Sequence, residues 1–595
     1  MNVYKKLSWF FKREWKLYVG GVIALVLVAL MELIPPQIIG RVIDHITEST
    51  LTMNTLSILL VVLILAGILT YIFRYFWRVF IFGAAFRLGK TLREMLFKKY
   101  SDMSTLFFQK RRTGDLMAHA TNDINAVQGT AGAGILTIAD SLITGGAVLV
   151  TMALTVSPKL TLIAMIPLPI MVVLTSYYGR LLNKGFRKAQ AAFSSLNDKT
   201  SESIAGVKVI KTFGYEKADE EDFVELSEDV VDKNLKVSRI DALFDPTIMA
   251  VIGVSYFLSI FYGAQMVIAD DITLGQLVTF TTYLGMMVWP MLALGWFFNL
   301  VQRGSASYER IEEIMNTKNN IGEDYLTEER PSGNIKFDIK SFTFPDDEEV
   351  GLRDVKFTIE EGTTVGIVGR TGSGKSALVR LLLREFDTLY ANDIVYGEHP
   401  IRDYRIDKLR EQFGYVPQDH FLFSTSIRDN IAFVNPDVDD EVVFNATRLA
   451  YVHEDIEGFT EGYDTVVGER GVSLSGGQKQ RISIARALVA DPEVLILDDS
   501  LSAVDAETEE AILNNLKATR ENKTNIITAH RMSAVAHADL IIVMESGTVS
   551  EMGTHNELMA SKGWYHDTFK AQSLRNALES NLDEVVERGD VDGRE

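Results

Sequence analysis

Six apolar runs, each long enough to cross a bilayer, constrain this chain more than any other feature. They lie near residues 17–39, 56–80, 135–156, 160–182, 247–268 and 274–301. At a rise of about 1.5 Å per residue, each spans the roughly 30 Å of hydrocarbon. Backbone in lipid must satisfy its own N–H and C=O groups, so the six runs are predicted to be helices. Ahead of them, Trp9, Phe10, Phe11 and Trp15 alternate with Lys5, Lys6, Lys12, Arg13 and Lys16, the composition of a helix lying in the membrane interface. No small-residue cleavage site follows, so no cleavable signal is expected.

Charge placement gives an orientation. The N-terminal segment is basic. The stretch after the first run carries Asp44 and Glu48 against Arg41, and the last loop carries Asp270 and Asp271. Both termini are therefore expected in the cytoplasm. The second and third runs are joined by a long polar segment, as are the fourth and fifth; both joins read as helical hairpins extending beyond the bilayer. Within the runs, Glu32 and Asp140 are costly in lipid, so each should face protein or water. The plain reading is an interhelical hydrogen bond, the sharper one a cavity that attracts cations. Arg74 and Arg78 are explained by snorkelling. Tyr283, Met286, Met287, Trp289, Trp296, Phe297 and Phe298 either line an adaptable cavity or face lipid, and Pro290 is expected to kink the last run.

After residue 316 the pattern changes. Residues 317–333 are polar and read as a linker. Residues 334–578 alternate strand-like and helix-like segments as in an α/β domain, and the acidic tail, residues 579–595, reads as disordered. Within this half, Gly369, Arg370, Thr371, Gly372, Ser373, Gly374, Lys375 and Ser376 fit G-x-x-x-x-G-K-[ST] between a strand and a helix. Glycines there let backbone amides approach phosphate, Lys375 would reach the β- and γ-phosphates, and Ser376 would hold Mg²⁺. Asp498, closing the apolar strand Val494 to Leu497, would hold Mg²⁺ opposite Ser376. Cysteine is absent, which excludes disulfides, Cys-ligated zinc and thiol catalysis. A net charge of -20 argues against a nucleic-acid partner.

Between the two phosphate motifs stands Leu474-Ser475-Gly476-Gly477-Gln478. This order of motifs resembles an ATP-binding cassette (ABC) domain, and with six spans before it the chain is similar to an ABC exporter half-transporter. The resemblance implies an α-helical transmembrane domain of type I exporter form, followed by an α/β P-loop nucleotide-binding domain with a helical subdomain. It implies ATP and Mg²⁺ as cofactors, with Phe344 stacking on adenine where most relatives have Tyr. Gln418 would sense Mg²⁺ and contact the membrane domain, and His530 would contact the γ-phosphate. Asp505 would speak across a dimer in which Leu474 to Gln478 complete the other chain's site. Thr113 to Leu116 with Thr121 to Asp123, and Gly206 to Lys211, resemble segments flanking the two intracellular coupling helices.

One position departs from the pattern. Relatives that hydrolyse ATP briskly have Glu after the Mg²⁺ aspartate; here it is Asp499, one methylene shorter. A general base must lie within about 2.6–3.2 Å of its water, and a displacement of about 1 Å costs roughly 10²-fold. The chain thus resembles the degenerate-site subunit of heterodimeric bacterial multidrug exporters in the cytoplasmic membrane. The implied partner carries Glu at this position, and the implied cargo is amphipathic and drug-like. A lipid or peptide exporter, a homodimer tolerating Asp, and a membrane sensor that binds ATP without pumping are the alternatives.

Overall fold

The computed structural model describes residues 2–322, 325–345, 347, 349–468, 474–575 and 578. The expectation of disorder over residues 579–595 falls outside them. The chain divides into two units, Met1–Asp102 with Arg111–Thr317, and Met103–Lys110 with Lys318–Glu595.

In the first unit, six helices are long and apolar enough to cross a membrane: Trp15–Thr47, Met53–Asp102, Thr113–Thr155, Pro158–Ala205, Glu216–Ile268 and Leu274–Asn316. They contain five of the six predicted runs whole, and the third run, 135–156, as far as Thr155. Met53–Asp102 is unbroken over 50 residues, about 75 Å, so it reaches far beyond the hydrocarbon. Short loops are closed by capping. Ser157 accepts from the Leu160 amide ahead of Pro158, and Thr273 forms a reciprocal box with Gln276.

The first and sixth spans cross at two glycines. A Cβ on Gly275 would sit 2.0 Å from the Gly40 carbonyl oxygen, so only a bare backbone fits. Polar groups complete the crossing. The Asp44 carboxylate accepts from Thr273 Oγ1 at 2.8 Å and from the Gly275 amide at 2.7 Å, while Thr279 Oγ1 donates to the Pro36 carbonyl at 3.1 Å. Tyr283 is fully buried with Phe280, Met152 and Leu160 and donates to the Leu33 carbonyl at 2.6 Å.

Several sequence expectations need correction here. The N-terminal segment does not only lie in an interface, because Val3, Leu7 and Phe10 are fully buried and Lys6 pairs with Glu312 of the sixth span. Arg74 of the second span forms an ion pair with Glu32 of the first, the interhelical contact of the plain reading of Glu32, in which attraction offsets part of each charge's cost of leaving water. Asp140 accepts from Thr144 of its own helix at 2.9 Å, a bond within one helix and not between two. In the aromatic run, Tyr283, Met287 and Phe297 are core, whereas Trp289, Trp296 and Phe298 are exposed. The sixth span breaks at Met287, one turn before Pro290, which lacks the N–H that would bond back to Met286.

The second unit has ten strands among its described residues: β1 Ile335–Phe342, β2 Leu352–Ile359, β3 Thr364–Gly369, β4 Ile394–Tyr396, β5 His399–Pro400, β6 Phe413–Val416, β7 Val494–Asp498, β8 Thr524–Ala529, β9 Leu540–Glu545 and β10 Thr548–Gly553. A four-stranded sheet has the order β2-β1-β4-β5, and a six-stranded sheet the order β10-β9-β3-β8-β7-β6. In the larger sheet all neighbours are parallel except the β9/β10 edge pair. Every residue of β7 and β8 is buried, as expected for parallel strands covered on both faces. Helices Asp440–Leu449 and Gly476–Val489 share one apolar core and form the helical subdomain. The short helix Thr105–Gln109, from the first hairpin, belongs to this unit and buries Leu106 among β1 and β2 residues. The polar stretch after residue 317 is a strap: Leu326 and Thr327 amides donate to the Asp403 carbonyl, and Arg384 holds the Gly322 carbonyl at 2.9 Å.

Gly40→Ala should destabilise the membrane unit by about 1–3 kcal/mol, because the added methyl must displace backbone. Thermal unfolding in detergent measures this. Gly67→Ala, whose added Cβ would meet nothing within 4 Å, is the matched control and should leave the transition in place.

Candidate functional site

The phosphate loop leaves β3 on glycines that no other residue could replace cheaply. Gly369, Gly372 and Gly374 have φ of 153°, 79° and 104°, and a Cβ on Gly369 would lie 2.2 Å from the Met544 carbonyl oxygen. Lys375 opens the helix Lys375–Leu382. Its ammonium is tethered to the loop's own carbonyls, at 2.9 Å from Gly369 and 3.1 Å from Arg370. Burial pulls its pKa down, opposed by the nearby carboxylates of Asp499 and Asp498. Ser373 Oγ is buried with no hydrogen-bond partner. An unpartnered buried hydroxyl in an amide-lined loop suits a ligand rich in acceptor oxygens.

The ends of the neighbouring strands supply the carboxylates. Ser376 Oγ donates to Asp498 Oδ1 at 3.2 Å, which brings together the two residues expected to hold Mg²⁺. Asp498 is also reached by Tyr415 Oη at 3.4 Å and by Thr528 Oγ1 at 2.6 Å. Thr528 was not singled out by its sequence. It pairs with Asp498 across β7 and β8, and both its Oγ1 and its carbonyl accept from the Asp499 amide, at 2.9 and 3.1 Å. One threonine thus positions two successive carboxylates. The available signal was a hydroxyl two residues before His530 at a strand end.

Asp499 stands in the left-handed region with φ of 50°, a strained placement that its pinned amide maintains. Its carboxylate accepts from Gln418 Nε2 at 3.3 Å and lies 4.0 Å from His530 Nε2. Asp499, Gln418 and His530 therefore converge on one point. Burial raises the Asp499 pKa; His530 works against that rise and Asp498 adds to it.

The remaining expected residues occupy other parts of the same unit. Phe344 packs edge-on against Phe342 and Phe386, with ring centroids 5.0 and 5.3 Å away, and the Arg380 guanidinium lies 5.9 Å from its ring. Leu106 and Gln109 share with it a cavity of about 240 Å³. Ser475 caps the helix Gly476–Val489 through a reciprocal box with Gln478, and Leu474 is buried beneath it. Gln478 Nε2 and Arg481 Nη1 both reach the Asp455 carboxylate, at 3.0 and 2.9 Å. Asp505 caps the helix Ala506–Thr519, accepting from Thr508 N at 2.9 Å and Thr508 Oγ1 at 2.8 Å. These bonds to Thr508 hold its pKa below the usual carboxylate range. Gln480 Oε1 accepts from Ala503 N at 3.1 Å, which ties the Ser475 helix to the Asp505 loop.

Residues 18–291 match the ABC transporter transmembrane region and residues 352–502 the ABC transporter domain. The chain belongs to the ABC transporter family. It is 44% identical to the multidrug resistance-like ATP-binding protein MdlA of Escherichia coli over 99% of its own length and all of that protein's. It is also 44% identical to the probable multidrug resistance ABC transporter ATP-binding/permease protein YheI of Bacillus subtilis, over 97% and 99% of the two chains. A solved bacterial Atm1-family ABC exporter with ATP bound superposes with a TM-score of 0.76 and 26% identity, covering 94% of this chain and 98% of that one. This ABC exporter is a multi-pass membrane protein with an ATPase domain, and such domains use ATP with Mg²⁺.

Thr528→Val should weaken both carboxylates' placement by removing bonds worth about 1–3 kcal/mol where buried acceptors lose a donor. In the ABC exporter this predicts a roughly tenfold rise in the Mg²⁺ concentration needed for half-maximal ATP binding, read by titration of a fluorescent nucleotide. Thr528→Ser should stay near wild type.

Proposed function

We propose that this chain is one subunit of a heterodimeric, ATP-driven multidrug exporter. Its own P-loop carries the slower ATP site, and its signature loop completes the faster one on the partner. The observation that carries the reading is the Asp499 carboxylate. The Asp499 amide is held by both Oγ1 and the carbonyl of Thr528, which fixes the backbone, so a side chain one methylene shorter than Glu reaches less far. General-base action needs contact within about 3.2 Å of the attacking water.

The chain's own residues would act as follows on bound ATP. The loop amides and Lys375 would grip the phosphates, with the ammonium exchanging its tethers to Gly369 and Arg370 for phosphate oxygens. Ser373 Oγ would donate to one of those oxygens. Ser376, Asp498 and Gln418 would hold Mg²⁺, which when bound neutralises charge on the phosphates. Phe344 would border the adenine, and His530 would approach the γ-phosphate. Ser475, Gly476, Gly477 and Gln478, with Asp505, would face the nucleotide held by the partner.

A second chain is also supported by the helix Val207–Phe213 at the tip of the second hairpin. None of its residues is buried, and Val209 and Phe213 are 61% and 80% exposed. An apolar helix tip outside the bilayer needs a cover. Amphipathic, drug-like cargo accords with the two multidrug-type relatives, and both termini are placed in the cytoplasm on the basic N-terminus and acidic outer loops.

Asp499→Asn should lower the ATPase of the assembled transporter by about twofold or less, because the site contributes little of the total. Ser475→Arg should abolish most turnover, since it damages the site completed on the partner. Asp499→Glu should raise single-site hydrolysis at this P-loop by up to roughly 10²-fold. Purifying the chain alone and beside candidate partners, then measuring ATPase and vesicle dye efflux, decides the matter. Vigorous ATP-dependent efflux by the chain alone would overturn the heterodimer.

A further inference from the structure

The N-terminal helices have two faces of opposite character. On one, Val3, Leu7 and Phe10 are fully buried. On the other, Lys5, Lys12 and Lys16 are exposed together with Trp9 and Trp15, at 36% and 54%. Neighbouring cations are already engaged: Lys6 pairs with Glu312, Arg13 lies 3.5 Å from Glu14, and Arg87 lies 3.1 Å from Glu14. Among the described residues Lys5, Lys12 and Lys16 form no ion pair. Three free ammonium groups interleaved with indoles, ahead of and at the start of the first span, match the chemistry of an anionic headgroup layer.

The buried face touches the machinery. Tyr4 Oη donates to the Thr130 carbonyl at 3.2 Å, and Tyr18 Oη donates to the Ala131 carbonyl at 3.1 Å. Both acceptors lie in a π-helical turn, Thr130–Gly134, inside the third span. Such a turn disrupts the regular helical ladder and is a natural point of bending. Thr130 Oγ1 reaches across to the Leu300 carbonyl of the sixth span at 2.9 Å, and a Cβ on Gly304 would sit 1.9 Å from that same Oγ1. The Tyr4 ring also stacks on Phe297, with centroids 6.3 Å apart. The N-terminal helix therefore bridges the third and sixth spans where the third can bend.

We propose that Lys5, Lys12 and Lys16 bind anionic phospholipid headgroups, and that this seats Tyr4 against the Thr130 turn and biases the bending of the third span. The reading depends on the chain crossing a membrane and not on which ATP site is slow.

The test uses the assembled transporter in phosphatidylcholine nanodiscs with and without phosphatidylglycerol. Native mass spectrometry should show preferential retention of phosphatidylglycerol. Lys5→Gln/Lys12→Gln/Lys16→Gln should lose it by about fivefold per lysine, while the corresponding triple Arg variant keeps it. Wild-type ATPase should respond to phosphatidylglycerol by at least about twofold, and less so at high salt; the triple Gln variant should keep its phosphatidylcholine rate and lose the response. Tyr4→Phe should keep lipid retention and lose the response. Unchanged retention in the triple Gln variant would overturn the site, and an unchanged response in Tyr4→Phe would overturn the relay. Reproduction of the effect by soluble glycerol phosphate would assign the cluster to a free anion and overturn the lipid. Because retention is measured without turnover, failure of the heterodimer reading leaves this result legible.

Discussion

Parallel register between three strands is what the nucleotide-binding unit is built to preserve. β3 and β8 align Val368 with Ala529, and β7 and β8 align Asp498 with Thr528. All three strands end on the same edge, so the phosphate loop leaves one of them while the carboxylates and their threonine cap the others. A slip of one residue would reverse the facing of Asp498 and Thr528, and the Ser376–Asp498 contact would be lost with it. The buried Asn525 and Thr528 of β8 resist such a slip, because their side-chain bonds with Arg520 and Asp498 would break away from water.

The membrane unit answers a different constraint, the need to leave no polar group unmet. Small residues allow backbones to meet at Gly40 and Gly275, and the polar groups there satisfy one another through Asp44, Thr273 and Thr279. Glu32 and Arg74 neutralise each other. At the irregular turn of the third span, carbonyls receive tyrosine hydroxyls from outside the helix. In each case a cost imposed by lipid has become a specific link between helices.

Much of this was legible in the sequence because it rests on local pattern. Span count follows from apolar run length, and the phosphate loop follows from glycine spacing between a strand and a helix. Partners that meet only through the fold were not legible. Arg74 is 42 residues from Glu32 and reads as a snorkelling cation until the second span is laid beside the first. Thr528 has the composition of any strand hydroxyl until its neighbour on β7 is known. The polar stretch after residue 317 has no periodicity because a strap is held mostly through its main chain, at Gly322, Leu326 and Thr327. The buried face of the N-terminal segment was obscured because its aromatic and basic residues also suit a lipid interface.

The bare tip at Val207–Phe213 has a further consequence for how much transporter a cell can hold. A copy whose tip is left uncovered presents Val207, Val209 and Phe213 to the aqueous phase, where chaperones and proteases find sticky segments first. Copies that stay uncovered would then be cleared, and the membrane density of working pumps would follow the rate at which the tip is covered rather than the rate of synthesis.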